Sequence, residues 1–165
     1  MSLTMMRILA VHQIVGGAVG LAYGALYLNA LGFVAVAPFV VVSLVSLVAG
    51  VLVWKRHRNA LRWSAVLQAV QVPAFAFPYL TYKLGLGVVL IAQAQASPTD
   101  AGGLRLGFPI DMRVLGVAFE YAIGGTPEQM MVGVNVIALG FLIVSIVLAH
   151  RVPKPMPLVA VRGPA

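Results

Sequence analysis

Carboxylates are the first place to look for chemistry, and this chain has four of them: Asp100, Asp111, Glu120 and Glu128. General acid–base or metal-dependent transfer chemistry needs such groups clustered, and a phosphotransferase at a membrane would want them near the interface. Here they are strung out between positions 100 and 128, set in turns or alternating with apolar residues. Solvated positions are the default. Pairing of Asp111 with Arg113, or of Glu120 with Arg105, is the expected use, at small net gain on a surface.

The remaining reactive types are sparse. His12, His57 and His150 have no paired ligand spacing, and the last two sit among arginines, the setting of interfacial residues. The chain has no cysteine, so it has no thiol nucleophile, disulfide, iron–sulfur cluster or thiolate zinc site. Gly16-Gly17, Gly102-Gly103 and Gly124-Gly125 match no phosphate-cradling pattern. No catalytic residue, metal or cofactor is expected.

One group of polar residues stands out because it lies inside apolar runs. His12 and Gln13 fall near the start of the first run, and Gln68 and Gln71 fall at a comparable depth in the third. At about 1.5 Å per residue both pairs sit roughly 7–15 Å from the nearest run end. Ser46 and Ser145 reach the same layer from the other two runs. Interhelical hydrogen bonding is the plain reading of such a layer. The functional reading is a ligand-binding polar pocket with His12 as a titratable group.

These residues must be held by membrane elements. Of 165 residues, 61% are hydrophobic and only 9% are charged, against about a quarter charged in soluble domains. A soluble fold of this composition would expose large apolar patches. The net charge of +7 does not point to nucleic acid, because the basic residues are neither on an amphipathic helix nor interleaved with aromatics. They stand at the ends of apolar runs, where lipid headgroups are the partner.

Four spans are predicted, at about 8–28, 33–54, 61–83 and 130–149. The first is too long for a signal-peptide core and has no small-residue cleavage site, so it reads as a retained helix. Pro73 and Pro78 predict a kink in the third. Its end carries an interfacial belt of Tyr79, Tyr82 and a snorkelling Lys83. Thr126, Pro127 and Gln129 read as a capped start for the fourth. The proline-rich tail 151–165 cannot continue a helix and is expected to be mobile.

Orientation follows from charge. The basic cluster Lys55, Arg56, Arg58 and Arg62 is expected on the cytoplasmic side, as are Arg7, Arg151, Lys154 and Arg162. Both termini are then cytoplasmic, and the stretch from about 84 to 129 faces outward. Within that stretch, apolar positions are even-numbered from Leu104 to Met112 and odd-numbered from Leu115 to Ile123. This parity change predicts two strands, about 104–111 and 114–123, with a break between them. Residues 86–95 fit either a third strand, joined through the turn-rich loop 97–103, or an extension of the third helix.

The predicted fold is therefore an all-α membrane protein, a single four-helix transmembrane bundle with a small antiparallel β-element of two or three strands, about 86–123, between helices three and four. Gly16, Gly20 and Gly24 leave a groove along the first helix for close packing, either within the chain or against a homo-oligomer or larger membrane complex. The expected function is a non-enzymatic accessory or assembly component of the cytoplasmic membrane, in contact with lipid or partner helices. A small oligomeric carrier or channel for an apolar or weakly polar ligand is the alternative. A lipid-modifying enzyme using His12 or the acids comes third.

Overall fold

The computed structural model of the chain describes residues 3–57, 59–99, 103–123 and 129–151. Arg58, Asp100, Gly102, the turn with Thr126, Pro127 and Glu128, and the tail from 152 onward lie outside these residues. In chain order the elements are α1 (Leu3–Leu31), α2 (Phe33–Trp54), α3 (Ala60–Gln71), β1 (Pro73–Phe77), β2 (Leu80–Pro98), β3 (Leu104–Gly107), β4 (Ile110–Ile123), β5 (Met130–Asn135) and α4 (Val136–Arg151).

Two helices, α1 and α2, are long and apolar enough to cross a membrane. They fold back on one another at Gly32, whose φ of 77° is available to glycine without a Cβ penalty. The pairing is antiparallel: Gly17 lies against Ser43 and Leu47, Gly24 against Val40 and Val36, and Gly50 against Ala10 and Ile14. The predicted span 33–54 coincides with α2, and 8–28 lies within α1.

The sheet overturns the predicted four-helix bundle with its small insert. The apolar run predicts a third span over 61–83, but α3 is only 12 residues long and ends before Pro73. A fourth span is predicted over 130–149, but β5 occupies its first residues and α4 has 16. At about 1.5 Å per residue, α3 and α4 are roughly 18 and 24 Å long, short of a hydrocarbon core of about 30 Å. Pro73 has no N–H and its ring blocks the preceding turn, so it stops the helix instead of kinking it. Pro78 sits in the tight turn between β1 and β2, followed by Tyr79 at φ 75°.

The five-stranded sheet is antiparallel throughout and built on β2, which is 19 residues long. Strand β4 pairs along residues 80–92 of β2, and β3 pairs with 95–98. On the other edge β1 pairs with residues 80–83 and β5 with 91–96. Because β1 and β5 also pair with each other, the ladder closes on itself. A row starting at Lys83 passes through Ala74 and Gly133 and returns to β2 at Gln93. That displacement along one strand is the stagger a closed sheet requires.

Strand β2 bends at Gly87, where φ is 85°. Opposite the bend the register moves from Gly87–Gly116 to Val89–Arg113, so β4 carries one extra residue, with Leu115 at φ 52°. This bulge is where the apolar parity changes. The parity change predicts a break between two strands, but β4 runs through it, and the chain interruption falls earlier, at Phe108–Pro109. Residues 86–95 are strand, and so are Ser97 and Pro98 of the predicted 97–103 loop; beyond them the Thr99 N–H donates to the Gly103 carbonyl at 2.9 Å.

The middle of β2 is covered on both faces. Leu84 and Leu86 pack with Phe39 of α2, while Val89 and Ile91 pack with Ala74, Ala76, Ala118 and Met131 inside the closed sheet. At the other end of the hairpin Leu9, Val53, Ala60, Leu61 and Leu148 form a separate cluster joining all four helices. The helices α3 and α4 thus flank one half of the hairpin and the sheet flanks the half nearer Gly32.

Candidate functional site

The polar residues of the helical half converge. Ser64, Gln68 and Gln71 recur at helical spacing on one face of α3, and all three are buried. The Gln13 amide donates from Nε2 to Ser64 Oγ at 2.5 Å, and Ser64 Oγ lies 3.3 Å from Ser145 Oγ of α4. Ser46 of α2 donates to the Gln13 carbonyl at 3.0 Å. One connected set of side chains therefore reaches across four helices. Ser64, which sequence reasoning missed, is its hub; its signal was its place one turn before Gln68.

Three of the predicted layer residues have different environments. Gln71 Oε1 accepts the backbone N–H of Leu86 at 3.0 Å, tying α3 to β2. Gln68 is fully buried, yet neither its Nε2 nor its Oε1 has a partner; Gln13 Oε1 is likewise unpaired. His12 points away from the layer. Its ring packs on Phe141, tilted by 33° with the centroids 4.5 Å apart, and lies against Gly87.

The glycine groove is filled from within the chain. A Cβ on Gly16 would stand 3.0 Å from the Leu86 backbone, and one on Gly17 would stand 2.6 Å from the Leu47 nitrogen. One on Gly20 would collide with the Ser43 hydroxyl, and one on Gly24 would stand 2.8 Å from Val40 Cγ2. Lack of a side chain there lets α1 approach a helix and a strand at once.

The interfacial residues divide. Lys55, Arg56 and Arg62 are exposed at the end of the hairpin away from Gly32, with Trp54 and Trp63 exposed beside them. Tyr79 is exposed on the sheet. Tyr82 instead packs on Phe75 and donates its hydroxyl to the Val70 carbonyl at 2.5 Å, closing the end of α3. Lys83 does not snorkel. It is only 12% exposed, and its Nζ lies 2.7 Å from Asp111 Oδ2.

Asp111 also accepts from the Arg113 Nε at 3.3 Å. The hydrogen bond from Lys83, with smaller help from Arg113, holds its carboxyl below the usual range against partial burial. The Asp111–Arg113 contact was legible at spacing two on a strand. The Lys83 contact was not, since the two are 28 positions apart and are not opposite one another in the β2–β4 register. Glu120 lies opposite Lys83 in the backbone register and is exposed; Arg105 lies opposite Ser97. Among the described residues no three His, Asp or Glu side chains form a metal-holding group.

Two clefts flank α1. One, of about 600 Å³, lies between the Gly32 half of the hairpin and β4, lined by Tyr23, Tyr27, Phe39, Phe119 and Arg113. The other, of about 590 Å³, runs along Ile8, Val11 and Val15 to Ile137 and Phe141 of α4. Of the predicted polar layer, His12 lines the second cleft, whereas Gln13, Gln68 and Gln71 line neither. Compared with known proteins, the chain matches no family model, no curated protein and no solved structure.

Proposed function

We propose that this protein is a non-enzymatic component of the cytoplasmic membrane, inserted through the α1–α2 hairpin and working through contacts with lipid or partner helices. The observation that carries this reading is the division of the hairpin's surface. Gly16, Gly17, Gly20, Gly24, Gln13, Ser43 and Ser46 are buried within the chain, while Leu26, Phe33 and Val34 are 75%, 74% and 86% exposed. Side chains of that kind, displayed outward on both candidate spans, call for an apolar solvent.

The same reading gives the orientation. Arg7, the 55–62 segment and the end of α4 share one end of the molecule, because Leu9, Val53, Ala60 and Leu148 form one cluster. Basic segments on one side favour a cytoplasmic location for that end and for both termini. The chain lacks cysteine, so single cysteines report topology directly. Asn59→Cys is expected to react with an impermeant maleimide only after the membrane is opened, and Asn29→Cys before. The reverse pattern, or extraction of the protein by alkaline carbonate, overturns the reading.

A carrier of an apolar or weakly polar ligand is the second reading. The cleft of about 600 Å³ with Tyr23, Tyr27 and Arg113 favours it. Mild-detergent purification discriminates: a protein partner at fixed stoichiometry supports the component, and an autonomous chain retaining a small ligand, released by Tyr27→Ala, supports the carrier.

A further inference from the structure

Arg7 and Trp54 line two adjoining clefts of different character. The smaller, of about 90 Å³, is lined by Arg7 and Arg56 together with Leu3, Met6 and Val53, so two basic residues border one small space. The larger leaves Arg7, Thr4 and Trp54 and continues as a mainly apolar groove along Ile8, Val11, Val15, Ile137 and Phe141, with His12 on its wall. Among the described residues neither arginine has a carboxylate partner; the ion pairs found there belong to Asp111. Arg56 stands just past the end of α2, where its φ of 56° closes the helix: its N–H donates to the Val53 carbonyl at 3.0 Å and the His57 N–H donates to the Leu52 carbonyl at 2.9 Å.

A basic end joined to an apolar channel has the chemistry of one amphiphile. From Arg7 to Val15 the groove runs roughly 12 Å along α1, close to the half-thickness of about 15 Å that one leaflet supplies. We infer that this face binds one anionic phospholipid of the leaflet on the basic side, its phosphate between Arg7 and Arg56 and an acyl chain along Ile8, Val11 and Val15. Trp54 lies where head and chain meet, the position that suits an amphipathic ring. A free anion would leave the groove without a purpose, and a neutral lipid would leave two arginines without one. The inference rests on the membrane reading above and adds a specific lipid to it.

The test uses the full chain, purified in a mild non-ionic detergent and offered phosphatidylglycerol or phosphatidylcholine with the same acyl chains, with retention read by native mass spectrometry. Wild type is expected to keep one phosphatidylglycerol in preference. The double variant Arg7→Ala, Arg56→Ala is expected to lose that preference by about tenfold or more, the scale of two basic residues acting on one anionic headgroup. Arg7→Lys with Arg56→Lys keeps the charges and serves where the alanine variant does not fold; it is expected to retain the preference. Val11→Trp fills the groove and is expected to weaken retention with both arginines intact. Equal retention of the two lipids, competition by inorganic phosphate as effective as by phosphatidylglycerol, or an unaffected Val11→Trp variant overturns the site. Reconstitution separates the two levels: a chain that floats with phosphatidylcholine vesicles but shows no headgroup choice loses this site and keeps the membrane reading, whereas a chain that floats with neither vesicle loses both.

Discussion

The backbone N–H of Asn135 donates to the carbonyl of Val72 at 2.8 Å. That bond joins the two places where this chain changes from one secondary structure to another, α3 into β1 and β5 into α4. A helix end frees backbone groups, and Asn135 and Gln71, both buried in the protein, leave little room for water to take them up. The side chain of Asn135 completes the junction by accepting the Ala138 N–H at 3.3 Å, capping α4. Gln71 does the same for Leu86 on the other side. The Asn135 amide thus satisfies a helix-end N–H, and the Gln71 amide satisfies a strand N–H in the middle of β2.

Loss of this cap is the first prediction. Asn135→Ala should lower stability by about 1–2 kcal/mol, the upper part of the range for an N-cap in a buried setting. Asn135→Ser, which keeps a short acceptor, should recover much of it. Thermal unfolding midpoints in one detergent compare the three proteins. An alanine variant as stable as wild type would remove the junction's role.

The ion cluster gives a second prediction with a pH signature. Asp111→Asn leaves the largely buried Lys83 charge without a counter-charge. The expected cost is about 1–3 kcal/mol, between the values for surface and buried pairs. Replacing both, Lys83→Met with Asp111→Asn, should cost less than the single change. The Asp111 carboxyl is depressed in the folded state, chiefly by Lys83. Its contribution is therefore present above the unfolded value of about 3.9 and is lost as pH falls through the lower folded value. Acid unfolding of wild type should steepen in that window, and Asp111→Asn should flatten it.

Packing at α1 separates two glycines of the same type. Gly17→Ala places a Cβ 2.6 Å from the Leu47 nitrogen, so α2 must shift, and the expected loss is about 1–3 kcal/mol. Gly140→Ala in α4 meets nothing within 4 Å, and it should be neutral or gain up to about 1 kcal/mol from helix propensity. Equal effects at the two positions would contradict the tight α1–α2 contact.

Gln68 provides the fourth. Both its polar atoms are buried and unpaired, so Gln68→Leu should be neutral or stabilising by about 1–3 kcal/mol in the purified protein. A loss of stability instead would mean that the amide is engaged in holding the helices together. Gln13→Leu is the contrast. It strips Ser64 of a donor and should destabilise.

Much of the local organisation could be read from residue order. The boundaries of α2, a strand as one of two fits for 86–95, and the parity change near Arg113 follow from spacing, because helices and strands repeat at fixed periods. The β-bulge at Leu115 is the physical form of that parity change, although the period alone predicted a gap between two strands there.

Residues 73–98 and 130–135 show why the rest was hidden. Apolar character at nearly every position removes the period, and a strand covered on both faces then looks the same as a span facing lipid. What distinguished them was the assembly: Leu84 and Leu86 found α2 on one side while Val89 and Ile91 found β1 and β5 on the other. Composition and the placement of charge were enough to call for an apolar surrounding and to mark the basic end of the hairpin. The sheet, the Lys83–Asp111 pair and the cleft between Arg7 and Arg56 came from long-range pairing, where contact depends on how the strands pair and α1 packs and not on distance along the chain.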